Sequence, residues 1–159
     1  MFYALPKDPD LLVAIGVVAV RHGQLDDCLR MVIKSLADLT PLDARRALGR
    51  TIEAGLRKRV LRLAKRRLGD GQAFLRLEAL IARAREASER RNGLLHGIWA
   101  TVLDGGDVML DGSGRLTEIP KIDDLQALAV ESAALANEPH EARLHGFLRE
   151  ALECGKDKS

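Results

Sequence analysis

From Pro9 to Leu39 the apolar residues return every three or four positions, with Leu11, Leu12, Ile15, Val18 and Ala19 running on into Leu25, Leu29, Val32, Ile33 and Leu36. Only a helix of about 3.6 residues per turn gathers that spacing onto one face. Asp8 followed by Pro9 reads as an N-cap with proline in the first helical position. Gly16 and Gly23 weaken the pattern without ending it, so the expectation is one long or kinked helix reaching to about Leu39.

What fills the interior follows from what is scarce. The 159 residues hold one Trp, one Tyr and three Phe, yet 47% of them are hydrophobic, so the core is built from Leu, Ala, Ile and Val. That composition favours helices, and the length suits one domain, 1–159, large enough to bury a core without staples. Cys28 and Cys154 stand far apart and outside any CxxC spacing, which implies neither a disulfide scaffold nor a cysteine metal site. A reducing, cytoplasmic setting fits them. The apolar stretch "LLVAIGVVAV" is only ten residues long before Arg21 and has no basic run ahead of it, so neither a signal peptide nor a membrane span is expected.

Further breaks divide the chain. Thr40 and Pro41 repeat the cap signal, and a basic helical region follows from about Leu42 to Leu68, interrupted near Gly49 and closed by "GDG" at 69–71. The next helix is expected from about Gln72 to Gly97. Short β-branched pieces punctuated by Asp-Gly, Gly-Gly and Ser-Gly then predict a hairpin with strands near 99–103 and 107–110. Helix resumes after Pro120, with a break expected at Asn137 to Pro139, and the tail from about 154 is expected to fray. The fold class is therefore all-α, an up-and-down bundle of four to five helices with a short β-hairpin inserted near residues 99–110.

Net charge is +2, but it is unevenly spread: from Arg45 to Arg67 ten Lys or Arg face one acid, Glu53. Charge runs are usually solvated helix faces. As a nucleic-acid surface, Arg59, Arg62 and Arg66, with Arg85 on the next helix, would bind phosphate in a salt-sensitive, weakly sequence-specific way, because few aromatics are interleaved for stacking.

The segment "EASERRNGLLHGIWA", 86–100, carries the one misfit. On a helical wheel Arg91 lies in the middle of the stripe formed by Leu80, Ala84, Ala87, Leu94 and Ile98, while Arg85, Glu89, Asn92 and His96 share an adjoining strip. A guanidinium in an apolar stripe must be paired or must face something other than core. The ordinary account is an ion pair from Arg91 to an acid such as Glu53 or Glu131, with His96 at a helix end. Gly93 and Gly97 each cost about 1 kcal/mol in a helix, which points instead to a close approach by another backbone or a substrate.

"RNGLLH", residues 91–96, resembles the Arg-x4-6-His motif of HEPN domains, small all-α bundles of prokaryotic toxins, defence proteins and some nucleotidyltransferase partners, in which a polar residue follows the Arg as Asn92 does here. The resemblance implies metal-independent RNA cleavage in the cleft of a homodimer, with no cofactor and no metal. In that chemistry a ribose 2′-OH attacks the adjacent phosphate: His96 transfers protons, Arg91 stabilises phosphate charge and Asn92 orients. One chain supplies one such His, so two copies across a two-fold axis meet both proton-transfer roles most simply. A partner antitoxin or nucleotidyltransferase would accompany that role.

The rival reading is a non-catalytic helical dimer that keeps the motif for folding or for binding a partner, as a regulatory, antitoxin-like or nucleotide-binding protein. The two differ in what Arg91 and His96 touch. "HEARLH", 140–145, sets its histidines five apart, about 140° around a helix, and so is not a zinc-protease motif. The acids and glycines of "DGGDVMLDGSG" lack the spacing of a calcium loop, and His22 reads as structural.

Overall fold

The computed structural model describes residues 2–3, 5–49, 51–95, 97–101, 107–110 and 115–156. Among them the expected helices are present, with a small antiparallel sheet. Four are long, α1 (Pro9–Leu36), α3 (Glu53–Leu68), α4 (Gln72–Leu95) and α5 (Ile122–Leu144), and two are short, α2 (Pro41–Leu48) and α6 (Phe147–Lys156).

The local chemistry of the helix ends explains most boundaries. The Asp8 carboxylate accepts the backbone N–H of Asp10 at 2.9 Å and of Leu11 at 3.4 Å, so α1 starts on the expected cap. It stops at Leu36 rather than Leu39 because Asp38 adopts a left-handed conformation, φ 54°. The Leu39 N–H then reaches back to the Lys34 carbonyl at 3.0 Å, a Schellman closure made by an aspartate instead of the usual glycine. Thr40 opens α2 by accepting the Asp43 N–H at 3.2 Å while its hydroxyl donates to the Asp43 carboxylate at 2.7 Å. The interruption expected near Gly49 separates α2 from α3. Gly69, φ 65°, ends α3 with its N–H on the Lys65 carbonyl.

The chain divides into two compact units, and α1, α4 and α5 each contribute to both. One unit comprises 23–85 and 133–159. Its core takes Leu29, Val32, Ile33 and Leu36 from α1, Leu48 from α2, Leu56 and Val60 from α3, Leu77 and Ile81 from α4, and Leu148 from α6, which packs against α3. Each such side chain contributes about 1.5–3 kcal/mol by leaving water. Arg83 on α4 and Glu138 on α5 add a two-pronged surface ion pair at 2.8 and 2.9 Å.

The break expected at Asn137 to Pro139 is not there: α5 runs through Pro139 to Leu144, and the chain turns at His145 and Gly146 instead. Proline inside a helix removes one N–H, here the donor to the Leu135 carbonyl. The apolar face formed by Leu135, Ala136 and Ala142 continues across the site and is buried, so packing overrides the local penalty. The turn itself is closed by the N–H groups of His145 and Gly146, which both reach the Glu141 carbonyl, at 2.9 and 3.0 Å. At the other end α6 runs to Lys156.

The second unit comprises 1–22 and 86–132. It carries a sheet of four antiparallel strands in sequence order: β1 (Phe2–Tyr3), β2 (Ile98–Thr101), β3 (Asp107–Leu110) and β4 (Leu116–Thr117). The expected hairpin is its centre, in the register Trp99 opposite Met109 and Ala100 opposite Val108. Residues 102–103, expected to end the first strand, and the turn expected at 104–106 lie outside the described residues. Strands β1 and β4, two residues each, were not foreseen; the Thr117 hydroxyl ties β4 to β3 through the Met109 carbonyl at 3.1 Å.

Candidate functional site at the end of α4

Helix α4 buries Phe74, Leu77, Ile81 and Ala84, then Ala87 and Ser88, at the spacing of a single inward stripe. Arg91 occupies the next place on that stripe and is half-buried. Its Nη1 donates to the Asn92 side-chain oxygen at 2.6 Å, and its Nε, shielded from water, has no hydrogen-bond partner. Neither acid considered for it takes that role: Glu131 pairs with Arg90, one residue away, and Glu53 pairs with Arg57. Among the described residues no carboxylate forms an ion pair with Arg91, so its positive charge is met by a neutral amide.

Around this cation Ala84 and Ala87 are buried. Arg85, Glu89 and Asn92 are exposed, and Leu94 and Leu95 are half-buried. Asn92 begins the last turn of α4, and Arg91 lies just before it. His96 lies outside the described residues.

The two glycines beside the motif separate into different cases. At Gly97 an added Cβ would stand 2.9 Å from the Gly93 carbonyl oxygen and 2.9 Å from the Met109 sulfur, so the close approach read from the sequence is made by the chain's own helix end and β3. At Gly93 an added Cβ would meet nothing within 4 Å, and the residue is exposed. The helix surface beside Asn92 is therefore open.

Of the four arginines read as an RNA-binding surface, Arg62 and Arg66 are exposed on α3, Arg59 is half-buried with its Nε unpartnered, and Arg85 is exposed on α4. All four belong to the unit formed by 23–85 and 133–159, whereas Arg91 and Asn92 belong to the other. The structure thus brings Arg91 to Asn92 and groups Arg59, Arg62 and Arg66 on one helix.

One feature of the first unit has no sequence signal. Arg76, Leu80 and Arg83 of α4 line a groove of about 640 Å³ with Glu138, Glu141, His145 and Phe147. Arg76 lies over the Phe147 ring, 4.3 Å from its centre, although 71 positions separate the two residues in the chain. Neither histidine of "HEARLH" is buried: His140 and His145 are both exposed. His22 is fully buried. No helix among the described residues is long and apolar enough to cross a membrane.

No protein-family model matches the chain, and neither a curated protein nor a solved structure shows detectable similarity to it.

Proposed function

We propose that the protein is a metal-independent RNA endonuclease of the HEPN type, acting in a toxin or defence role. The observation that carries this reading is the state of Arg91: a half-buried guanidinium at the end of α4, hydrogen-bonded to Asn92 with no carboxylate ion pair among the described residues. A structural arginine in an apolar stripe is normally neutralised by an acid, because an unpaired buried charge costs several kcal/mol. One held by a neutral amide keeps its charge for an anion, and its planar fork suits phosphate oxygens.

In this reading Arg91 offsets the negative charge that builds on the phosphorane when the 2′-OH attacks, and Asn92 fixes the guanidinium through its carbonyl oxygen. His96, next in the chain after the last residue of α4, transfers the protons. Base and acid act at opposite oxygens, so a second His96 from another copy of the chain completes the pair. Open space at Gly93 supports the approach of a nucleic-acid strand to this part of the helix.

The test is cleavage of RNA by the purified full chain with and without chelator, beside Arg91→Ala and His96→Ala. Cleavage indifferent to chelator, leaving 2′,3′-cyclic phosphate ends and lost in both variants, is the expected result. Activity that survives both substitutions, or that requires added metal, overturns the assignment.

A further inference from the structure

Helix α1 is apolar on two sides. Leu11, Ala14 and Val18 face the core of the unit formed by 1–22 and 86–132, whereas Leu12, read from the sequence as part of the same stripe, does not. On the opposite side Leu12, Val13, Val17 and Val20 face solvent, Val13 and Val20 with 65% and 64% of their surface exposed. A groove of about 280 Å³ lined by Val13, Val17, Gln126 and Ala129 runs between α1 and α5 beside this patch. Gly16 lies exposed in the middle of the patch, and a Cβ built on it meets nothing within 4 Å. A helix apolar all round is normally covered all round.

We propose that this face of α1 docks a second copy of the same chain, the two helices running antiparallel about a two-fold axis that passes between Gly16 and Val17. The pattern of residues is what selects that occupant. Positions equidistant from the axis face one another in such a pair. Val13 therefore meets Val20 of the partner subunit, a like-sized aliphatic, and Val17 enters the space left open at the partner's Gly16. Arg21 lays its aliphatic stem over the partner's Leu12. A face that matches its own rotated image is what an isologous contact requires, and an unrelated partner imposes no such symmetry.

Charge selects the direction. A parallel pair sets Asp10 against Asp10 and Arg21 against Arg21 and aligns the two helix dipoles. The antiparallel pair places the acidic start of each stripe, Asp8 and Asp10, at the end where the other carries Arg21, and opposes the dipoles. The surface stands independently of the cleavage chemistry proposed above, and the test separates the two.

Sedimentation velocity of the full chain at tens of micromolar is expected to show a dimer. Val17→Lys, which drives a charge into the partner's Gly16 space, is expected to be monomeric with an unchanged circular dichroism spectrum, because Val17 is not part of the core. A second measurement fixes the register. In a Cys154→Ser background, Val13→Cys and Val20→Cys chains mixed under mild oxidation are expected to give a mixed-chain disulfide. Each alone is not, because like positions lie about 10 Å apart along the antiparallel helices. A monomeric wild-type chain, a dimer that survives Val17→Lys, or equal cross-linking in the unmixed samples overturns the proposal. Failure of the wild-type dimer to cleave RNA sinks the nuclease reading and leaves this one standing.

Discussion

The Cys28 thiol on α1 donates a 2.9 Å hydrogen bond to the Ala136 carbonyl on α5, three residues before Pro139. The bond joins the two helices one residue beyond the Leu135 carbonyl, whose helix donor the proline has removed. Burial pushes the thiol up from 9.0 to about 11, against the lowering influence of Arg143. A raised folded value means that the stabilising contribution is whole below the unfolded value, near pH 9, and is lost as pH climbs toward 11. Urea titrations are expected to show the wild type losing about 2 kcal/mol over that window relative to Cys28→Ala. A constant difference between the two proteins across the window contradicts it. At neutral pH the exposed Cys154 should react quickly with a thiol reagent and Cys28 only on unfolding.

The glycines beside the motif make opposite predictions. Gly97→Ala pushes a methyl group to 2.9 Å from the Gly93 oxygen and from the Met109 sulfur, and is expected to cost about 1–3 kcal/mol, read as a lower melting temperature. Gly93→Ala meets nothing and gains helix propensity, so it should stabilise by up to about 1 kcal/mol. If a strand of RNA lies against this surface, the same Gly93→Ala substitution lowers cleavage while raising the melting temperature. A rise in both separates the open space from the substrate.

Which parts of this were legible follows from where the information lies in the chain. Periodicity and caps are local, and so Asp8, Thr40 and Gly69 marked their helix ends correctly. Helix α1 ends three residues short of its apolar pattern, and nothing in the sequence distinguishes an aspartate that turns left-handed, as Asp38 does, from one that does not. Pro139 misled for the converse reason, since its local veto was outweighed by a buried face visible only in three dimensions. Two-residue strands such as Phe2–Tyr3 carry no periodic signal at all. At the site, the wheel correctly marked Arg91 as the misfit of α4, but its partner is the adjacent Asn92 rather than a distant acid, a choice set by packing and not by spacing.

Changing that partner is a sharper probe than deleting it. Asn92→Asp keeps the shape of the side chain and turns the acceptor of the Arg91 guanidinium into a carboxylate, which neutralises the charge proposed to serve phosphate. Cleavage is expected to fall by about 10²–10³-fold, comparable to Arg91→Ala, with no loss of melting temperature because Asn92 is exposed. Arg91→Lys should fall between, since it retains the charge without the planar fork. Equal activity of Asn92→Asp and wild type would remove the electrostatic role assigned to Arg91.

The arginines of α3 predict a different signature, in binding rather than in turnover. Arg62 and Arg66 are exposed four positions apart, about 6 Å along the helix, near the spacing of successive phosphates on a strand. A contact of that kind releases counterions and carries no base information. Arg62→Ala and Arg66→Ala are each expected to weaken RNA binding by a similar factor on unrelated sequences. Each should also make the dependence of log affinity on log salt shallower by about 0.7, the single-strand value for one lost phosphate contact. The half-buried Arg59, its Nε shielded from water, should change the slope less when substituted. Slopes that stay unchanged in both exposed variants assign the basic face of α3 to solvent alone, and leave Arg85 and Arg91 as the cations that remain for an RNA contact.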